Sequence, residues 1–91
     1  MEVELRFFAT FREAVGRKTV YRRYDAGATV GEVLQSMTAE HPDLDLFEDD
    51  GSLRDFATVM KNGRQVIHLD GLATELGDGD VLSVFPPVAG G

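Results

Sequence analysis

Ninety-one residues, 43% hydrophobic and 27% charged, suit one globular domain with a modest core and leave no room for a large enclosed active site. A net charge of −7 speaks against nucleic acid, whose phosphates demand clustered Lys and Arg, and the absence of cysteine removes disulfides, a Cys nucleophile and thiolate metal sites. No run of about 18 apolar residues occurs and the acidic start MEVELRFF lacks the basic region of a signal peptide, so no membrane span and a cytoplasmic location are expected.

The chain opens with alternation. Val3, Leu5 and Phe7 share one face and Glu2, Glu4 and Arg6 the other, the pattern of a half-buried strand. Ala9 to Val15 then reads as a short helical turn closed by Gly16. Thr19 to Tyr24, rich in β-branched and aromatic residues, is a second strand that forms an elaborated hairpin with the first. Its facing is ambiguous, because Arg22 and Arg23 fall on opposite sides.

The main helix follows. Thr29 and Glu32 form a T-x-x-E capping box, and Val30, Val33, Leu34 and Met37 recur at helical spacing along one stripe. His41-Pro42 ends it, since the residue before proline is pushed out of helical geometry. Asp43 to Asp55 reads as an acidic connection with a turn at Asp50-Gly51. Ala57 to Lys61 and Arg64 to Leu69 read as strands joined by Asn62-Gly63, a two-residue hairpin signal because both residues tolerate positive φ. After an irregular turn over Leu72 to Leu76, Asp78-Gly79-Asp80 leads into a last strand, Val81 to Phe85. One amphipathic helix across one face of a mixed sheet gives a small α+β domain over residues 1–85, followed by an extended tail over residues 86–91.

Inside the domain, chemistry is hard to find. His41 at the helix end and His68, expected on a strand, have no partner motif for catalysis. The acids Asp43, Asp45, Glu48, Asp49 and Asp50 fail the spacing of a calcium loop, with Phe47 at position 5 and Arg54 at position 12, and read as solvated surface. Asp78-Gly79-Asp80 reads as a turn. Neither a P-loop nor a G-x-G-x-x-G run occurs. The basic group Arg12, Arg17, Lys18, Arg22 and Arg23 is either a solvated hairpin face or a docking patch for an acidic partner. The three Met and the Phe residues fall mostly on expected core positions.

The tail is different. Pro86 and Pro87 end the strand and favour an extended path, so the six residues from Pro86 to Gly91 reach on the order of 18 Å beyond the sheet. Gly90 and Gly91 lack Cβ atoms and suit a channel too narrow for side chains. Such an end fits presentation of the Gly91 carboxylate to another enzyme, although a terminus with incidental glycines is the plainer alternative.

FFATFREAVG (Phe7 to Gly16), ATVGEVL (Ala28 to Leu34) and FPPVAGG (Phe85 to Gly91) together resemble the MoaD/ThiS sulfur carriers and the small archaeal ubiquitin-like modifiers, over essentially the whole chain. The resemblance implies a ubiquitin-like β-grasp fold of about five strands, the first and last parallel in mid-sheet. It implies that an E1-like enzyme adenylates Gly91 with ATP, with Phe85, Pro86, Pro87 and Val88 seating the tail and Gly90-Gly91 entering the site. The protein would then be no enzyme itself but a modifier or carrier, with no bound cofactor or metal. It would be a monomer when free.

Three functions follow. The first is a modifier joined by an isopeptide bond to lysines of target proteins. The second is a sulfur carrier bearing a thiocarboxylate for tRNA thiolation or molybdopterin synthesis, where the tail enters the large subunit of the synthase. The third is a non-covalent binding module. The acidic, lysine-poor composition resembles proteins of salt-loving archaea and favours the modifier. Lys18 and Lys61, the two lysines of the chain, are candidate acceptors if copies join one another.

Overall fold

A computed structural model describes residues 1–87. It contains a five-stranded mixed sheet, an eleven-residue helix across one face and a short helix at one end. The strands are β1 (Glu2–Phe7), β2 (Thr19–Arg23), β3 (Thr58–Lys61), β4 (Arg64–Gln65) and β5 (Val81–Phe85), in the order β2-β1-β5-β3-β4. The helices are α1 (Ala9–Val15) and α2 (Val30–Glu40). β1 and β5 lie side by side and parallel at the centre of the sheet, with Leu5 beside Leu82 and Phe7 beside Val84. The other pairings are antiparallel.

The alternation in β1 decides which side is buried. Val3, Leu5 and Phe7 are fully buried against α2, together with Leu82 and Val84 of β5 and Val59 of β3. Val30, Val33, Leu34 and Met37 are likewise fully buried, so the helical stripe is the other half of one core. The capping box is complete: Thr29 Oγ1 accepts from the Glu32 amide, and the Glu32 carboxylate accepts from the Thr29 amide. The helix stops at His41, whose amide still donates to Met37 O. The ambiguous strand β2 turns Val20 inward opposite Leu5, while Tyr21 stands outward opposite Glu4. Arg22 lies on the helix side and reaches Glu40 at 2.9 Å.

The hairpin turn at Asn62-Gly63 has both residues at positive φ, 51° and 83°. The strand expected from Arg64 to Leu69 is shorter, and only Arg64–Gln65 pairs with β3. Val66–His68 forms a 3-10 turn in which Leu69 N donates to Val66 O, so His68 lies in that turn and not on a strand. The apolar spacing explains the change. Val66 and Ile67 are adjacent and cannot both face inward from a strand, whereas three residues per turn put Val66 and Leu69 on one side. Val66 is buried, and Ile67 is left in solvent.

The acidic connection holds more core than its charge suggests. Leu44 and Leu46 alternate with Asp43 and Asp45 and are buried, and Phe47 bridges to Leu53. Nor do the phenylalanines all turn inward. Phe7 and Phe11 are buried, Phe8 and Phe85 lie half-buried on the sheet face opposite α2, and Phe56 is 86% exposed.

Candidate functional site

The end of β5 where the tail begins is built by three elements. β5 is paired on both sides, with β1 as far as Val84 and with β3 as far as Phe85, which lies opposite Thr58. Because β1 runs parallel to β5, both strands finish at the same end, and the Phe8 amide donates to Val84 O at 3.2 Å. Alternation along β1 and β5 then puts the side chains of Phe8 and Phe85 on the open face of the sheet. Their rings stack with centroids 4.3 Å apart and planes within 10°. The Lys18 amine sits over the Phe8 ring, 5.2 Å from its centroid, a cation–π arrangement.

Beyond the stack the chain passes the half-buried Pro86 to the exposed Pro87. Val88, Gly90 and Gly91, expected to seat and present the tail, lie outside the described residues. The structure thus brings Phe85 together with Phe8, and Phe8 with Lys18, neighbours that the sequence reading does not name. A signal for Phe8 exists in the sequence. It continues the polar register Glu2, Glu4, Arg6 as an aromatic, which is out of place on a solvated face.

The two lysines differ. Lys18 is exposed and has no carboxylate at ion-pair distance among the described residues. Lys61 is tied down, donating to Glu75 O at 3.2 Å with Asp80 at 3.7 Å. His41 caps α2 with a buried Nε2 that has no hydrogen-bond partner, and His68 is exposed. Of the acids in the 43–55 connection, Asp45 and Glu48 pair with Arg54, and Asp50 accepts from the amide and hydroxyl of Ser52. Asp78 and Asp80 serve the turn before β5: Asp78 accepts from the Glu2 amide, and Asp80 from Gly77 N and Asn62 Nδ2.

An apolar depression of about 190 Å³ is lined by Leu53, Ala57, Thr58, Val59, Val66 and Leu72 among others. No titratable side chain lines it, so it offers no acid, base or nucleophile. The described residues therefore present a rigid platform with an aromatic step at the tail's origin.

A model of the ThiS family matches residues 5–91. The chain is 60% identical to small archaeal modifier protein 3 of Haloferax volcanii over the full length of both. The crystal structure of small archaeal modifier protein 1 from the same organism superposes with a TM-score of 0.87 at 38% identity, covering all of both chains. A putative molybdopterin converting factor, subunit 1, from Pyrococcus furiosus superposes with a TM-score of 0.75 at 28% identity, covering 97% of this chain and 99% of that one. The five-stranded mixed sheet with its crossing helix is the ubiquitin-like β-grasp fold of these structures.

Proposed function

The chain belongs to the ThiS family, and from that membership we propose that it is a ubiquitin-like protein modifier, joined through the Gly91 carboxyl group to lysine amines of other proteins. The observation that carries this reading is the full-length similarity to small archaeal modifier protein 3, with the family match running to residue 91. The stacked rings of Phe8 and Phe85 where the tail begins support the same reading, as a surface on which an activating enzyme can seat the domain.

A carboxylate must be activated before an amine can attack it. An E1-like enzyme would let a Gly91 carboxylate oxygen attack the α-phosphorus of ATP, releasing pyrophosphate and leaving an acyl-adenylate. A target lysine then attacks the carbonyl carbon, AMP departs with the former carboxylate oxygen, and the amine loses a proton to give the isopeptide bond. In this scheme Phe85, Pro86, Pro87 and Val88 seat the tail in the activating enzyme, and Gly90 and Gly91 enter its site. The reaction takes place in the cytoplasm.

Deleting Gly90-Gly91 is expected to abolish conjugation while shifting the thermal unfolding midpoint by little, as for residues beyond the sheet. Immunoblots and intact mass of cell extract read the first, and circular dichroism the second. A conjugate ladder that persists without the two glycines overturns the proposal. Trypsin suits the mapping poorly, because the last cleavage site is Arg64 and residues 65–91 stay attached to the modified lysine.

A second reading is favoured by the similarity to the molybdopterin converting factor subunit. Here sulfide-level sulfur from a donor attacks the carbonyl carbon of the adenylate, AMP departs with the former carboxylate oxygen, and Gly91 becomes a thiocarboxylate, for molybdopterin synthesis beside a large synthase subunit or for tRNA thiolation. The form of Gly91 in extract separates the two. An amide-linked population supports the modifier, and a free thiocarboxylate without a ladder supports the carrier.

A further inference from the structure

Acids outnumber cations sixteen to nine in this chain, so each cation has carboxylates to spare. Arg6, Arg22, Arg54 and Lys61 each find one. Arg12, Arg17 and Lys18 do not, among the described residues, and all three are exposed. They are near in sequence and share one connection: Arg12 lies in the last turn of α1, and Arg17 and Lys18 follow Gly16 into β2. This segment, residues 12–23, holds five of the nine cations and a single acid, Glu13.

Its position gives the concentration of charge a use. The Arg12 amide donates to Phe8 O, the Phe7 amide donates to Lys18 O, and the Lys18 amine covers the Phe8 ring. Phe8 in turn stacks on Phe85, the last residue of β5. The backbone of this segment is thereby fastened beside the point where the tail leaves the sheet, with the Lys18 amine over the aromatic step, while Arg17 lines a shallow groove with Val15, Val20, Arg22 and His41. Arg22 is neutralised by Glu40, and Arg23 stands at the far end of β2 opposite Glu2, so neither belongs to the group.

We propose that Arg12, Arg17 and Lys18 form a cationic collar that docks an acidic rim at the mouth of the activating enzyme's tail channel. The inference rests on the modifier reading, or equally on the carrier reading, since both require adenylation of Gly91. Contact pairing is the mode that survives salt. At about 1 M ionic strength charges farther apart than about 3 Å are screened, so long-range steering fades while close pairs keep part of their strength. The collar sets how the domain is seated around the origin of the tail.

The test is ATP-dependent pyrophosphate release by the activating enzyme with the full-length protein as substrate. The triple substitution Arg12→Glu, Arg17→Glu, Lys18→Glu is expected to raise KM roughly tenfold or more, as several rim ion pairs turn repulsive, with kcat within about twofold of wild type. Circular dichroism checks that the variant is folded. Arg64→Glu is the control, being another exposed cation without a carboxylate partner among the described residues, on the far edge strand. An unchanged KM in the folded triple variant overturns the collar while leaving adenylation standing. An equal effect of Arg64→Glu also overturns it, because net charge alone would then be responsible. A wild-type protein that is not adenylated removes the underlying reading and the collar with it.

Discussion

The carboxylate of Asp80 accepts hydrogen bonds from Gly77 N at 2.7 Å and Asn62 Nδ2 at 2.9 Å, with the Lys61 amine at 3.7 Å. Asn62 returns its own Oδ1 to the Val81 amide, so two turns from opposite ends of the chain's second half are laced together where β5 begins. Partial burial pushes the Asp80 pKa up, but the Gly77, Asn62 and Lys61 contacts outweigh it and hold the group below the usual carboxylate range. A folded-state pKa below the unfolded one adds stability that is fully present above the unfolded value. That stability is lost as pH falls from there through the folded value. Asp80→Asn should therefore cost roughly 1–3 kcal/mol at neutral pH, where it loses charge-assisted bonds. The gap to wild type should shrink as pH drops below about 4. Chemical denaturation of both proteins across that range checks the sign; a gap that widens in acid contradicts this account. From sequence alone Asp80 is a turn residue and nothing more, because its partners come from Asn62 and Lys61, eighteen and nineteen positions away.

At the scale of elements, α2 owes its position to Gly31 as much as to its apolar stripe. A Cβ on Gly31 would stand 3.1 Å from Leu72 O and 3.2 Å from Leu72 Cβ, inside the 3-10 turn at Gly71–Ala73. The chain fixes that approach on both sides of the helix start: Val30 N donates to Thr74 O, and Leu76 N to Ala28 O. Gly31→Leu is therefore expected to lose roughly 1–3 kcal/mol by overpacking, despite the better helix propensity of leucine, as measured by the denaturation midpoint. A variant as stable as wild type would mean that the Leu72 turn gives way freely. Sequence logic reads α2 well, since its cap and stripe are local, and it reads the Asn62-Gly63 hairpin for the same reason. It fails at Gly31, which looks like a weak helix residue until Leu72 is seen beside it. It fails too at Leu44 and Leu46, where a strand-like alternation is hidden among acids, and at Val66–His68, where spacing by three resembles spacing by two. The aromatic step of Phe8 and Phe85 depends on the parallel pairing of β1 with β5, which no local pattern encodes and the family resemblance supplied.

For the molecule as a whole, sixteen acids on ninety-one residues repel one another in the folded state, and only nine cations offset them. Raising KCl from about 0.1 M to about 1 M shortens the screening length from about 10 Å to about 3 Å, so that repulsion should fall and the thermal midpoint should rise. A midpoint that falls over this range would show that attractive ion pairs such as Arg54 with Asp45 and Glu48 outweigh the repulsion. The central placement of β5 has a mechanical consequence. Tension applied at the tail runs along a strand bonded to β1 on one side and β3 on the other, so many backbone hydrogen bonds are loaded in shear together and none can be peeled first. Tension applied at the edge hairpin would instead unzip the two-residue pairing of β4. A protein fastened to this terminus is held by the strongest grip the sheet can offer, and a motor hauling on that protein would meet its resistance there.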